Sequence, residues 1–146
     1  MINFECAAKR HFHDGLLLKK ENRDPNAGQL FGFAAECGIK SLLVACGYPT
    51  SPDGDLGTAG GGICAKKHIH QFVPMMAQLS MYLAGRNGSK YLSQIPNIAD
   101  FSNWHTDQRY YTDQSIPTFC NKWQDAAKEV MNMLQNLAID KGLTCP

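Results

Sequence analysis

Residues 26–46, NAGQLFGFAAECGIKSLLVAC, form the longest apolar run in the chain, and their reading decides the fold. Leu30, Ala34, Cys37, Ser41 and Val44 recur at helical spacing, and Phe31, Ala35, Gly38, Leu42 and Ala45 make the neighbouring stripe. A helix that is apolar on most faces is packed by neighbours on several sides, which makes this one the central helix of its domain. Only Gln29, Glu36 and Lys40 interrupt it, and they share one face. Gly32 and Gly38 lower its helix propensity. Their missing side chains leave room for close approach by another helix.

Upstream, residues 3–20 read as a first helix, with Phe4, Ala7, Ala8, His11, Gly15 and Leu18 on one stripe. The turn ENRDP follows, with Asp24 as N-cap and Pro25 as first helical residue of the central helix. Downstream, residues 47–62 (GYPTSPDGDLGTAGGG) have no periodicity and read as a flexible connection. A third helix is expected over residues 63–84, kinked or divided at Pro74, which removes a backbone donor. Residues 85–88 (GRNG) end it, and residues 89–96 hold a short helix or turn. Residues 99–117 are polar, aromatic and aperiodic, and read as a long ordered connection pinned by Trp104, Tyr110 and Tyr111. A last helix spans residues 118–140, with Phe119, Trp123, Ala126, Ala127, Val130, Met133, Leu134 and Leu137 on its stripe and Gly142 as its stop. Four main helices, each with one apolar face, predict a single all-α domain over residues 1–146: an antiparallel up-and-down bundle with a short extra helix or turn.

Composition fits that class. The chain has 146 residues, enough for one domain and its core, with 44% hydrophobic and 18% charged residues. A net charge of +1 argues against a strongly electrostatic nucleic-acid binder and leaves room for a local basic patch. The N-terminus carries charges and histidines where a signal peptide has an apolar core. Glu36 and Lys40 break the longest candidate for a membrane span. These features lead to the expectation of a cytoplasmic protein. Cys6, Cys37, Cys46, Cys64, Cys120 and Cys145 show no CxxC pair and no zinc-ribbon spacing, so six reduced cysteines are expected.

Several residues invite a functional reading. Glu36 and Lys40 are four apart and face each other on a helix. They form either a structural ion pair or one wall of a ligand pocket lined by Arg109 and Tyr110; structural pairs are the commoner case. Arg109, Tyr110 and Tyr111 combine a phosphate-binding guanidinium with stacking rings, a pairing suited to single-stranded RNA or a nucleotide. The alternative is that the tyrosines anchor the loop and Arg109 bonds carbonyls or Glu36. Trp104 reads as a packing residue. His11 and His13, and His68 and His70, are two apart on expected helices and so point away from each other. Cys64 and His68 have the spacing to share an ion, but no further ligand is placed by sequence, and no metal is expected. Lys66 and Lys67 read as solvated. The Gly-rich run lacks the ending and the preceding strand of a P-loop.

Taken in order, these elements resemble the HEPN domain, a nucleotide-binding α-helical family. The resemblance rests on His13-Asp14, on Arg23 and Asn26-Ala27, and on the helix-two motif of Leu30, Gly32, Ala34, Ala35, Glu36, Cys37 and Lys40. Trp104, Arg109 and Tyr110 complete it before the last helix. It implies a helical bundle that dimerises and that handles RNA or nucleotides. Many members are metal-independent ribonucleases of toxin–antitoxin or defence systems, and others are non-catalytic companions of small nucleotidyltransferases. The catalytic members carry an Arg followed after four to six residues by a His. Here Gln114, Ser115 and Ile116 stand at that spacing from Arg109, and Tyr91, Leu92 and Ser93 from Arg86. None of these six takes and gives a proton unaided near neutral pH as His does. The expectation is therefore a non-catalytic nucleotide- or RNA-binding homodimer, without cofactor, partnered by a nucleotidyltransferase, with Arg109, Tyr110, Glu36 and Lys40 at its site. One alternative is a ribonuclease with a rearranged site using Arg109 and His105. Another is a protein-interaction module acting through the loop at 47–62.

Overall fold

Asn3 opens the first helix: its side-chain oxygen accepts the Cys6 N–H at 2.9 Å, satisfying a donor that the first turn leaves free. The computed structural model describes residues 1–58 and 62–142. Helix α1 (Phe4–Lys20) leads through a tight turn to α2 (Asp24–Ala45). Pro25 sits in the first turn of α2, where its missing N–H costs nothing. Asp24 is the first helical residue rather than the N-cap, and its carboxylate takes the Lys19 ammonium at 2.7 Å.

The two helices are antiparallel. Gly15 and Phe12 meet Phe31, His11 meets Phe33, and Phe4 lies under the Lys40 ammonium, so partners descend α1 as they climb α2. Helix α2 is central, with Ala27, Phe31, Ala34, Ala35, Ile39, Leu42 and Leu43 all buried.

The third helical stretch starts later than the expected residue 63. Residues 63–68 are not helical; α3 (Ile69–Phe72) begins after His68, whose backbone is extended at φ −87° and ψ 162°. Pro74 then divides the stretch through a 3₁₀ turn, and α4 (Met76–Ala84) follows. The short α5 (Ser89–Leu92) and 3₁₀ turns at Ile98–Asn103, Thr106–Tyr110 and Asp113–Ser115 carry the chain to α6 (Cys120–Lys141). Gly142 ends α6 at φ 65°, in the left-handed region that a glycine C-cap supplies.

Helix α6 runs in the same direction as α2: Trp123 packs at Gly28, Val130 at Gly38, and Lys141 Nζ reaches the Ala45 carbonyl at 3.2 Å. Residues 91–103 run the opposite way along α6. Tyr91 bonds Asp140, Gln94 bonds Asn136, Asn97 bonds Glu129, and Trp123 Nε1 donates to the Asp100 carbonyl. The all-α reading holds. The described residues contain six helices and no strand, with one isolated bridge between Thr50 and Leu56. None of the helices among them is long and apolar enough to cross a membrane.

Three expectations need correction. The connection after α2 is tied down over its described part. Tyr48 is buried, donates to the Ile63 carbonyl at 2.9 Å and accepts from the Ala65 N–H at 3.1 Å, while Ile2 N–H bonds the Asp53 carbonyl. The long connection before α6 is pinned by Phe101, Trp104, Thr106 and Gln108, all buried, and not by Tyr110 and Tyr111, which are exposed. Finally, Cys6 is disulfide-bonded. Cys37, Cys46, Cys64 and Cys120 are free, and Cys145 lies outside the described residues. Pairing is a matter of position in space, which cysteine spacing does not reveal. Disulfides persist in oxidising settings, so cysteine usage no longer argues for a reducing compartment.

Candidate functional site

The glycines of α2 determine what surrounds Glu36. A Cβ on Gly32 would fall inside the Trp104 indole, and one on Gly38 would collide with Val130. The indole therefore packs directly on the α2 backbone, and its Nε1 donates to the Gly28 carbonyl at 3.0 Å. Gln29 anchors the following residue, donating to the His105 carbonyl at 3.0 Å. These contacts hold the His105 turn against the N-terminal half of α2.

Glu36 is buried, with a relative exposure of 6%. One carboxylate oxygen accepts from Lys40 Nζ at 2.6 Å, and the other lies 3.0 Å from His68 Nδ1. A buried carboxylate needs partners for its charge, and this one has two, from α2 and from the residue preceding α3. The expected Glu36–Lys40 pair is present, and His68 is the partner that helical spacing missed. Because His68 Nδ1 faces Glu36, its Nε2 is left for another group.

His68 borders a cleft of about 270 Å³ lined by Phe4, Lys40, Asp55, Leu56, Lys66, Lys67 and His68. Lys66 bonds Asp55 at 3.0 Å. Lys67 is half-buried, and no ion pair engages its ammonium among the described residues. The cleft is thus basic, with Phe4 and Leu56 as its apolar part. A larger surface depression, about 590 Å³, lies between Ala84 and Lys141, where Lys90 and Tyr91 both donate to Asp140.

Beside the cleft the histidines gather. The His68 and His70 rings are nearly parallel with centroids 6.2 Å apart, and His70 and His105 are 4.3 Å apart. His70 Nδ1 is buried without a hydrogen-bond partner. Burial, and then the neighbouring His105 and His68, push the His70 pKa below its ordinary 6.5. The expectation that His68 and His70 point apart fails because His68 lies outside the helix, where the helical rule does not apply. Among the described residues no group of three His, Cys, Asp or Glu is arranged to hold a metal ion.

Arg109 and Tyr110 are not part of this constellation. Both are exposed, and the guanidinium sits 4.8 Å from the centre of the Tyr110 ring. No hydrogen bond or ion pair joins either to Glu36 or Lys40 among the described residues. His105 instead bonds within its own turn, accepting from the Asp107 N–H at 3.3 Å. Sequence reasoning missed Lys66, Lys67, His68 and His70 as a group. The signal was the run Lys66-Lys67-His68 directly before an apolar helical stripe. Cys37, next to Glu36, is not a nucleophile: burial, reinforced by that carboxylate, pushes its thiol up to about 11.

No family model matches this chain, and it matches no curated protein and no solved structure.

Proposed function

We propose that the chain is a HEPN-like, non-catalytic binding component for a nucleotide or RNA, with the ligand's phosphate held in the cleft of Lys40, Lys66, Lys67 and His68. The cleft itself carries this reading. It joins three ammonium groups and an imidazole beside a buried carboxylate that fixes two of them. Ammonium groups bind phosphate as point charges through charge-assisted bonds. Phe4 and Leu56 give a sugar or base an apolar surface. The helix-two motif supports the HEPN assignment, since Glu36 and Lys40 belong to both the motif and the site.

Isothermal titration of ATP and of a short single-stranded RNA tests the reading. Lys66→Ala and Lys67→Ala together are expected to weaken binding by about tenfold or more. Arg109→Ala is expected to change it little. Absence of heat with either ligand on the wild-type protein would end the proposal. Fluorescence is a poor substitute, because Trp104 and Trp123 are both buried and Trp104 serves as packing. The same resemblance assigns a homodimer, a small nucleotidyltransferase as partner, and a cytoplasmic toxin–antitoxin or defence setting. A single-chain mass in light scattering would remove the homodimer.

One observation favours a second reading, a metal-independent ribonuclease. His105 has a second imidazole in contact, and two adjacent imidazoles are the material of acid–base chemistry. That partner is His70, not Arg109. RNA incubated with chelator and with either wild type or His105→Ala decides the matter; intact RNA in both reactions disposes of this reading.

A further inference from the structure

We infer that the cleft selects a terminal phosphate, a phosphomonoester, over the internal phosphodiesters of a nucleic-acid strand; this rests on the binding reading above and narrows its ligand. Three observations meet here. The first is size. At about 270 Å³ the cleft is smaller than the roughly 300–1,000 Å³ of pockets that enclose whole organic ligands, so it suits one charged group with the rest of the ligand outside.

The second is charge. Three ammonium groups against the carboxylates of Glu36 and Asp55 leave one surplus positive charge, with the His68 imidazole beside them. A phosphomonoester carries about −1.5 to −2 near neutral pH with three acceptor oxygens. An internal diester carries a single charge and has only two unesterified oxygens. The more highly charged monoester is drawn more strongly by that surplus, and its three oxygens call for donors from several sides.

The third is preorganisation. Glu36 fixes Lys40 at 2.6 Å and His68 at 3.0 Å, and Asp55 fixes Lys66 at 3.0 Å. The Tyr48 hydroxyl ties the backbone of Ile63 and Ala65 to the core just before these residues. Donors that are already held lose little freedom when a ligand arrives. Lys67, which no ion pair engages among the described residues, closes on the ligand, and His68 contributes Nε2, the nitrogen that Glu36 does not occupy.

The test compares a 5′-phosphorylated RNA oligonucleotide with its 5′-hydroxyl twin, and adds adenosine monophosphate and inorganic phosphate as separate probes. The phosphorylated strand is expected to bind at least about tenfold tighter than its twin. Lys67→Ala and His68→Ala should each bring it down towards the twin's affinity. Lys67→Ala breaks no side-chain bond among the described residues, and a thermal melt checks that both variants are folded. If the monophosphate binds as tightly as the phosphorylated strand, the inference stands and the source is a free nucleotide. If it binds far more weakly, the inference stands with a strand end as the source. Equal affinities for the two strands overturn the inference and leave the binding proposal in place. No binding by any probe overturns both.

Discussion

Glu36 concentrates the chemistry of this chain in one side chain. It is buried, it is the common partner of Lys40 and His68, and it stands next to Cys37. Removing one member of a buried ion pair leaves an uncompensated charge, at a cost of roughly 3–5 kcal/mol. Lys40→Met is therefore expected to destabilise the protein by about 3 kcal/mol, His68 sparing Glu36 the full penalty. The double variant Glu36→Leu/Lys40→Met should recover most of that loss, because two apolar groups need no partner. Urea denaturation of the three proteins measures both effects; a double variant no more stable than Lys40→Met would contradict the argument. The cysteines offer a second check at this scale. Burial pushes the thiols of Cys37 and Cys120 up to about 11, and Cys64 is exposed. Iodoacetamide at neutral pH should therefore alkylate Cys64 well before the other two, and peptide mass mapping over time would show the order.

At the level of elements, the helices with unbroken stripes were legible and the irregular segments were not. Helices α1, α2 and α6 lie within a few residues of where their periodicity puts them, since one apolar face repeated over several turns admits one reading. Residues 63–68, expected as helix, are irregular; Ile63 stands off the stripe, which begins only at Ile69. What ends the helix there is tertiary: Tyr48 holds the backbone of Ile63 and Ala65, and Glu36 holds His68. That single error hid the site, for it set His68 and His70 on opposite sides of a helix that does not include His68. The close approach expected at Gly32 and Gly38 is present, but at Gly32 the neighbour is the Trp104 ring and not a helix. Overpacking costs about 1–3 kcal/mol, and an indole bonded to backbone has little room to yield. Gly32→Ala should thus cost at least about 2 kcal/mol in urea denaturation. It should also loosen residues 98–111, seen as faster amide exchange there than in α1. Uniform acceleration across the chain would mean that Trp104 does not hold that segment separately.

For the molecule as a whole, the histidines tie stability to pH in a direction that can be worked out. Burial lowers the pKa of His70, with His105 and His68 adding to it; burial also lowers that of His11, with Arg10 adding to it. The groups around them are mixed: Glu36 and Asp107 favour the charged form of His70, and Asp14 and Glu36 that of His11, yet the net shift is downward in both. In the unfolded chain both imidazoles titrate near 6.5, so below that pH the unfolded state binds more protons than the folded one. Their contribution is therefore fully present above 6.5 and is lost as pH falls towards the folded values. A separate loss comes at lower pH. Asp53 is held below the ordinary 3.8 chiefly by the Ser51 hydroxyl, and Asp55 and Asp140 chiefly by Lys66 and Lys90. Those carboxylates contribute above 3.8 and cease to do so as they protonate. Urea midpoints measured from pH 8 to pH 3 should accordingly decline in two stages, one beginning near 6.5 and one below 3.8. His70→Asn should flatten the first stage and leave the second unchanged. Were the first stage as steep in that variant and in His11→Asn as in the wild type, the histidine cluster around Glu36 would not be the origin of the acid sensitivity. A phosphate ligand adds a contrast: above its Kd it should raise the midpoints of the wild type with the logarithm of its concentration, and raise those of Lys67→Ala much less.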